Sequence, residues 1–215
     1  TPQPATPEAM TQTVSQIVSH FDWQGPVGAG FPAIIQQGVA RSAANIDPSW
    51  IGRDVRDMFQ QACGCPVTVL NDADAAGTAE VHFGAGRGLA GVVLVLTLGT
   101  GIGSALFTNG HLVPNTEFGH IEIGGKVAET RTADSARERE ELSWKKWARR
   151  LDRYLDRLEF YLSPELIIVG GGVSRKHDRF LPLLTIDTEI VPAQLRNEAG
   201  IVGAAAAAAV AVGNP

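Results

Sequence analysis

The stretch VVLVLTLGTGIGSALF, residues 92–107, places two apolar runs on either side of a glycine-rich segment. The apolar runs predict paired, buried β-strands, and the glycines predict a tight connection between them. Consecutive backbone N–H groups in such a loop, with the Thr100 hydroxyl beside them, can form a nest for an anion. The same pattern is also typical of a hairpin turn that binds nothing.

A second glycine cluster, residues 170–172, follows the apolar run LIIV. Glycine lets a ligand approach the main chain closely, and each of the two clusters comes directly after a predicted buried strand. This arrangement favours a nucleotide or oligophosphate cleft over two unrelated turns. We therefore expect the phosphates of a ligand to lie against both loops.

Strands and helices alternate outward from this stretch. The strands are rich in Val, Ile and Leu and are followed by polar loops, which is typical of an α/β architecture with ligands at the carboxyl ends of the strands. Apolar spacing predicts helices over residues 9–21, 49–63, from 72, 142–162 and after 200, and strands at 27–31, 67–70, 91–98, 104–107 and from 165.

The composition is that of an ordinary globular protein. Of the 215 residues, 44% are hydrophobic and 19% are charged, which argues against a disordered or membrane-spanning chain. The net charge of −5 gives no sign of nucleic-acid binding, and the first residues lack the pattern of a secretory leader. Cys63 and Cys65 are too close for an easy disulfide and too few for a zinc site, so we expect a reduced, cytoplasmic compartment.

Asn71 and Asp72 lie where a predicted strand ends and a predicted helix begins. An Asp at such a position commonly caps the helix and does nothing else. It can also accept the proton of an alcohol that attacks phosphorus, provided that the carboxylate is within hydrogen-bond reach of the hydroxyl. The position alone leaves both roles open. Asp74 is expected to point to solvent or to sit behind the residues that touch the substrate.

The segment EFGHIE, residues 117–122, interleaves polar and apolar side chains. Glu117 and His120, beside a glycine, form a plausible acceptor and donor pair for sugar hydroxyls. A lone His in such a setting is more often a hydrogen-bonded structural residue, and that alternative stays open. A zinc site would need more Cys or His nearby, and the following dozen residues have none.

The predicted helix WKKWARRLDRYLDR, residues 144–157, is strongly basic. Its six cationic and two acidic side chains give a net charge of +4, in a chain whose total is −5. The apolar positions form a complete stripe for burial, which favours a solvated outer face for the basic residues. Contact with a polyanion is the alternative.

Taken together, these motifs resemble a known family. LNDADAAGTAE, LTLGTGIGSALF, EFGH and LIIVGGGVS resemble the ROK family of sugar kinases, within the actin-like (hexokinase/Hsp70) ATPase superfamily. LVPNTEFGHIEI, LSWKKWARRLDRYL and NEAGIVGAA are similar to its polyphosphate glucokinase branch. The resemblance runs from about residue 6 to 208. It implies an α/β fold of two ribonuclease-H-like lobes, a smaller one of residues 1–70 with 201–215 and a larger one of residues 71–200.

The resemblance also implies roles for individual residues. Asp72 would be the general base on the sugar 6-hydroxyl, across a cleft from the donor phosphates. The remaining sugar hydroxyls would be bound by Asn45, Asn71, Glu117, His120 and Glu129. The donor phosphates would lie against Gly99, Thr100, Gly101 and Gly103 in one loop and Gly170, Gly171 and Gly172 in the other.

The implied reaction is phosphoryl transfer to glucose, with mannose as a second acceptor. The donor would be inorganic polyphosphate or ATP, with Mg²⁺ and without zinc, because the zinc-binding cysteine cluster of many ROK proteins is absent. The resemblance implies a homodimer without nucleic-acid or membrane partners. Poly-anion guidance by the basic helix or by Arg175, Lys176 and His177 is a further expectation.

The chain departs from the family pattern at its front. Family members begin with a strand hairpin that carries an Asp-x-Gly-Gly-Thr phosphate loop, and nothing in these residues matches it. This chain begins where the family's first helix would begin. The alternative to a kinase is therefore a non-catalytic sugar-binding protein, as in the ROK repressors, or a piece that is inactive without that loop.

Overall fold

The computed structural model describes residues 3–44 and 46–213. The chain divides into two compact units, Thr1–Thr78 with Gly200–Pro215 and Ala79–Ala199. Each unit combines helices with a sheet, so the α/β class is confirmed. No helix in the described part of the chain is long and apolar enough to cross a membrane.

The first unit is built on a parallel pair of strands. Its elements are α1 (Pro7–His20), β1 (Val27–Phe31), β2 (Ile35–Gln36), β3 (Val39–Ala40), α2 (Val55–Cys63), β4 (Val67–Asn71), the start of α3 (Asp72–Phe83), and α7 (Ala199–Ala211). β1 pairs with β4 so that Phe31 lies opposite Asn71 at the carboxyl ends of both strands. Asn71 and Asp72 therefore stand at the strand end where α/β proteins place ligands.

Three aromatic rings form the centre of this unit. Phe31, Trp50 and Phe59 are buried and meet edge to face, with ring centroids 4.9–6.2 Å apart. The Trp50 indole N–H donates to the carbonyl of Ala5 at 2.9 Å, which satisfies the one polar group that this side chain buries. The cluster closes the apolar face of β1 against α2.

The predicted helix over residues 49–63 is wrong in its first part. Pro48–Trp50 is a single 3₁₀ turn, and α2 begins only at Val55. Gly52 interrupts the helix because its φ of +83° lies in the left-handed region. Asp54 then caps α2 by accepting from the N–H of Asp57 at 2.9 Å.

The alanine-rich helix α7 packs against β1 with very little space between the two backbones. A Cβ added to Gly28 would lie 1.9 Å from the carbonyl oxygen of Ala204. Any side chain at Gly28 would therefore push the helix off the strand. Small residues on both elements permit this close packing.

The second unit holds a five-stranded sheet covered by helices. Its elements are β5 (Val92–Leu98), β6 (Ile102–Thr108), β7 (His111–Val113), α4 (Glu129–Thr132), α5 (Asp134–Arg139), α6 (Trp144–Leu162), β8 (Leu166–Gly170) and β9 (Ile190–Pro192). The strand order is β7-β6-β5-β8-β9, with β6 antiparallel and β8 parallel to β5. The two glycine clusters follow β5 and β8, which are adjacent parallel strands, so both clusters lie at one edge of the sheet.

Helix α6 buries the predicted apolar stripe. The side chains buried along it are Trp147, Ala148, Leu151, Tyr154, Leu155 and Leu158. Trp144 is only partly buried and stacks on Phe180 with ring centroids 6.1 Å apart. Most of the basic residues are exposed, as expected for a solvated face, but Arg150 is partly buried and pairs with Glu140.

The division between the two units falls inside α3, after Thr78, whereas the sequence analysis placed it at residue 70. The first turn of α3 packs on β1, where Ala75 Cβ lies 3.4 Å from the position of a Cβ on Gly30. Further along, Glu80 is 1% exposed, and its carboxylate accepts from the backbone N–H groups of Ala85, Gln194 and Leu195 at 2.7–3.1 Å. The second half of α3 is therefore anchored by a buried carboxylate that the sequence analysis missed.

Candidate active site

Asn71 is the residue that caps α3. Its side-chain oxygen accepts from the N–H groups of Ala73 at 2.8 Å and Asp74 at 3.2 Å, and its Nδ2 donates to the carbonyl of Ala33 at 3.1 Å. Because Asn71 is buried and makes these bonds, it fills the capping role that the sequence analysis considered for Asp72. Asp72 is therefore not needed as the cap.

Asp72 is the first residue of α3, and its side chain reaches solvent. Its Oδ1 accepts from the N–H of Ala73 at 2.9 Å. Loss of water around the carboxyl raises the pKa of Asp72, and the backbone hydrogen bond from Ala73 opposes that shift in part. A carboxyl that is accessible and has a raised pKa suits a general base that works near neutral pH.

Asp74 does not point to solvent, which was one of the two positions expected for it. Asp74 is 1% exposed, because the inner face of α3 turns it into the protein. The Thr78 hydroxyl donates to its backbone carbonyl at 2.8 Å. Asn45, the other residue of this unit expected to bind sugar, lies outside the described residues.

In the second unit, the loop between β5 and β6 has its backbone carbonyls held by the protein. Ser135 donates from its N–H to the Gly99 carbonyl at 3.1 Å and from its hydroxyl to the Thr100 carbonyl at 2.6 Å. The Gly101 carbonyl accepts from the N–H of Gly99 at 3.0 Å. Among the described residues, the N–H groups of Thr100 and Gly101 donate to no protein acceptor. A loop whose carbonyls are bonded and whose N–H groups are available suits the binding of an anion.

Glu129, at the start of α4, lies against this same loop. Its Oε2 accepts from the N–H of Ile102 at 2.7 Å, and the same oxygen is 2.4 Å from the position of a Cβ on Gly101. A Cβ on Gly99 would meet no atom within 4 Å, so the space beside Gly99 is open. Gly101 thus makes room for a protein carboxylate, and Gly99 leaves room for a ligand.

The segment of residues 117–120 packs against the start of β6. Gly119 is buried, and a Cβ there would lie 2.5 Å from the carbonyl oxygen of Ile102. The Ser104 hydroxyl accepts from the N–H of Phe118 at 3.0 Å and donates to the carbonyl of Thr116 at 2.6 Å. Close backbone packing therefore accounts for the glycine between Glu117 and His120.

Glu117 and His120 stand side by side on this segment. His120 Nδ1 lies 3.9 Å from Glu117 Oε2. The His120 side chain is 60% exposed, so it is not the buried structural histidine that the sequence analysis considered. An accessible imidazole next to a carboxylate offers a donor and an acceptor to a polyhydroxylated ligand.

The second glycine cluster meets the first through Gly171. A Cβ on Gly171 would lie 2.3 Å from the carbonyl oxygen of Leu98, the residue before Gly99. The structure therefore brings together both glycine clusters, Glu129, and the 117–120 segment around one end of β5 and β6. Asn71 and Asp72 belong to the first unit.

Ser135 was not predicted from the sequence, because its hydroxyl bonds to a carbonyl 35 positions away in the chain. Replacing it in Ser135→Ala removes one hydrogen bond, which is worth about 1 kcal/mol and about 2–4 °C of Tm in a chain of this size. Because the Thr100 carbonyl is released, we expect KM for the phosphoryl donor that the resemblance implies to rise several-fold, while KM for the implied sugar acceptor, glucose, is unchanged. Steady-state kinetics and thermal unfolding measure both. The control is Ser19→Ala, an exposed serine on α1. An unchanged donor KM in Ser135→Ala would contradict this positioning role.

Known proteins resemble this chain in both sequence and fold. The ROK family model matches residues 1–136. A polyphosphate glucokinase of Mycobacterium tuberculosis (strain CDC 1551 / Oshkosh) is 52% identical over 208 residues, which cover 96% of this chain and 78% of that protein.

Two solved structures have a similar fold. The inorganic polyphosphate/ATP-glucomannokinase from Arthrobacter sp. strain KM is 53% identical, with a TM-score of 0.90 over 98% of this chain and 86% of that one. A ROK family glucokinase from Streptomyces griseus, in complex with glucose and AMPPNP, is 25% identical, with a TM-score of 0.80 over 95% of this chain and 89% of that one.

Proposed function

The chain belongs to the ROK family, and we propose that it transfers a phosphoryl group from inorganic polyphosphate or ATP to the 6-hydroxyl of glucose. The observation that carries this proposal is the glycine loop of residues 99–101. Its carbonyls are held by Ser135 and by the loop itself, and two of its N–H groups have no acceptor among the described residues. Such a loop suits the phosphates of a donor, and the relatives named above suggest which donors.

Asp72 is proposed as the general base. It takes the proton of the sugar 6-hydroxyl as that oxygen forms a bond to the terminal phosphorus of the donor. The bond from this phosphorus to the remaining polyphosphate, or to ADP, breaks in the same displacement. Catalysis of this kind depends on positioning and on stabilising the charge of the transferring group rather than on covalent chemistry by the protein.

The other sugar contacts are proposed for Asn45, Asn71, Glu117, His120 and Glu129. Asn71 and Glu129 have structural bonds that limit what they can offer to a sugar. Asn71 has one Nδ2 hydrogen beyond its bond to Ala33, and Glu129 has Oε1 beyond the Oε2 that holds Ile102. Mannose is proposed as a second acceptor because the Arthrobacter relative is a glucomannokinase.

The donor phosphates are proposed to lie against Thr100 and the glycines at 99, 101, 103 and 170–172. Mg²⁺ is proposed as the ion that neutralises their charge. Among residues 3–44 and 46–213, no group of three or more His, Cys, Asp or Glu side chains could hold a metal ion. This fits Mg²⁺, which usually keeps several waters and binds through substrate phosphates with few protein ligands, so donor oxygens would supply most of its ligands.

His120→Ala tests the sugar site. Because the imidazole is largely exposed, its loss should leave Tm unchanged, while the lost hydrogen bond to sugar raises KM for glucose about 10-fold. KM for the donor should stay within two-fold. His111→Ala is the matched control, since His111 is also exposed in the same unit but lies on β7. Equal glucose KM values for the two variants would remove His120 from the sugar site.

The function itself is tested by formation of glucose 6-phosphate from glucose with Mg²⁺ and either long-chain polyphosphate or ATP. The assay is run on this chain and on the same chain preceded by an Asp-x-Gly-Gly-Thr hairpin. Product in either protein supports the kinase. Glucose binding without product in both would favour the sugar-binding alternative.

The proposed homodimer is tested by sedimentation in the same buffer, and the cytoplasmic location stays a prediction.

A further inference from the structure

One face of α6 supports the short helix α4 through its main-chain carbonyls. The indole N–H of Trp147 donates to the carbonyl of Thr132 at 2.9 Å, and the guanidinium of Arg150 donates to the carbonyl of Arg131 at 3.3 Å. As α6 advances, these contacts move back along α4. The next residue on the same face of α6 is Tyr154, one turn after Arg150, so it lies toward the start of α4.

Tyr154 is packed into the core next to the glycine loop. Its side chain is 0% exposed and belongs to the same apolar cluster as Leu98 and Ile102, which flank the loop, and Ala128, which precedes Glu129. In the described part of the chain, its hydroxyl has no hydrogen-bond partner. A buried hydroxyl without a partner costs free energy, so packing alone does not account for Tyr at this position.

The carboxylate of Glu129 is the charge that acts on this hydroxyl. Burial raises the pKa of Tyr154, and the negative charge of Glu129 raises it further. The hydroxyl therefore stays protonated at neutral pH and can act as a donor. Oε2 of Glu129 accepts from the N–H of Ile102 at 2.7 Å, which leaves Oε1 for other donors. One water can connect two buried polar groups that are close but not in direct contact.

We propose that Tyr154 is a positioning residue for Glu129, to which its hydroxyl donates through one bridging water. The contact of Glu129 with sugar rests on the proposed function. A donor on the protein side of the carboxylate restricts its rotamers before any ligand binds, so less side-chain freedom is lost on binding. Phenylalanine would fill the same space in the core, but it could not orient the carboxylate.

The first test needs no ligand and measures hydrogen exchange of the Ile102 amide by NMR, because this amide donates to Glu129. Tyr154→Phe removes only a hydroxyl that no described residue bonds, so the variant should fold with an equal or higher Tm. We expect the Ile102 amide to exchange about 5-fold faster, with amides in the centre of β5 unchanged. The control is Tyr161→Phe, the same change on the same helix at a side chain that is 71% exposed.

The second test asks whether this support reaches the sugar. We expect Tyr154→Phe to raise KM for glucose about 5-fold, while kcat and KM for the donor change by less than about two-fold. In a Glu129→Gln background, Tyr154→Phe should have no further effect, because Tyr154 acts only through the Glu129 carboxylate. A residue that only fills the core would not give this separation of KM from kcat.

Each outcome bears on the proposal. Equal exchange of the Ile102 amide in Tyr154→Phe and Tyr161→Phe overturns it, and so does an equal KM for glucose in the two variants of an active enzyme. If Ile102 exchange responds to Tyr154→Phe but the wild-type chain neither binds nor phosphorylates glucose, the proposed function fails and the support of Glu129 by Tyr154 stands. If glucose is phosphorylated and neither measurement responds, the reverse holds.

Discussion

Asp72→Asn is expected to lower kcat by about 10²-fold or more, while KM for glucose changes by only a few-fold. The amide keeps the size of the carboxyl and can still contact the sugar hydroxyl, but it cannot accept a proton. Since Asn71 provides the cap of α3, the helix should begin at the same residue in the variant. Steady-state kinetics with saturating donor measures both constants.

The matched control is Asp57→Asn. Asp57 is an exposed acidic residue in the first turn of α2, so its replacement removes the same charge from the same kind of helix position. Any loss that arises from the helix dipole alone should appear equally in both variants. A kcat for Asp72→Asn that matches the control would show that Asp72 is not the base.

The pH dependence follows from the raised pKa of Asp72. The base works when it is ionised, so kcat/KM should fall on the acid side at a pH above the ordinary carboxyl pKa of about 3.9. The residual activity of Asp72→Asn should lack this acid limb. A wild-type profile that falls only below pH 4 would contradict the assignment.

The raised pKa of Asp72 also affects how the stability of the fold depends on pH. A carboxyl with a raised pKa in the folded state adds stability at pH values below its unfolded pKa, and this contribution is lost as the pH rises through the folded pKa. At neutral pH the ionised Asp72 is therefore unfavourable for folding because of its desolvation. We expect Asp72→Asn to keep or raise Tm at pH 7, which separates loss of the base from loss of the fold.

Long apolar segments were predictable from the sequence. Buried apolar side chains line the strands β5, β6 and β8 and one face of the helix α6. Their apolar runs and spacing are visible in the local sequence, so these elements could be predicted. Short elements such as β9 were not predicted, because three residues gain their structure only from pairing with β8. The start of α2 was misplaced because Gly52 and Asp54 overrode the apolar spacing before them.

Some features of the candidate site could also be predicted from the sequence, and others could not. The glycine loops and the pair of Glu117 and His120 are contiguous in sequence and could be predicted. The roles of Asn71 and Asp72 could not be separated, since both residue types cap helices and only the hydrogen bonds distinguish them. The contact of Ser135 with the loop depends on how α5 packs, which no local pattern encodes.

Gly171→Ala is expected to destabilise the protein by about 4 kcal/mol, or to prevent folding. Gly171 has φ +80° and ψ 179°, a region that is almost closed to residues with a Cβ. A Cβ would also lie 2.3 Å from the carbonyl oxygen of Leu98 and 2.7 Å from its nitrogen. These are backbone atoms at the end of β5, where Leu98 pairs with Ile102 of β6, and they cannot move aside easily. Thermal unfolding should show a loss of about 10 °C or more.

The neighbouring Gly172→Ala distinguishes a structural glycine from one that faces the donor. A Cβ at Gly172 would meet no atom within 4 Å, so the substitution should leave Tm unchanged or raise it slightly by restricting the unfolded chain. If donor phosphates lie against this turn, the added methyl group should raise KM for the donor about 10-fold and leave KM for glucose unchanged. An unchanged donor KM in a stable Gly172→Ala protein would mean that the second glycine cluster serves the packing of β8 against β5 and has no part in binding phosphate. The same result would leave the loop of residues 99–101 as the donor site in this unit.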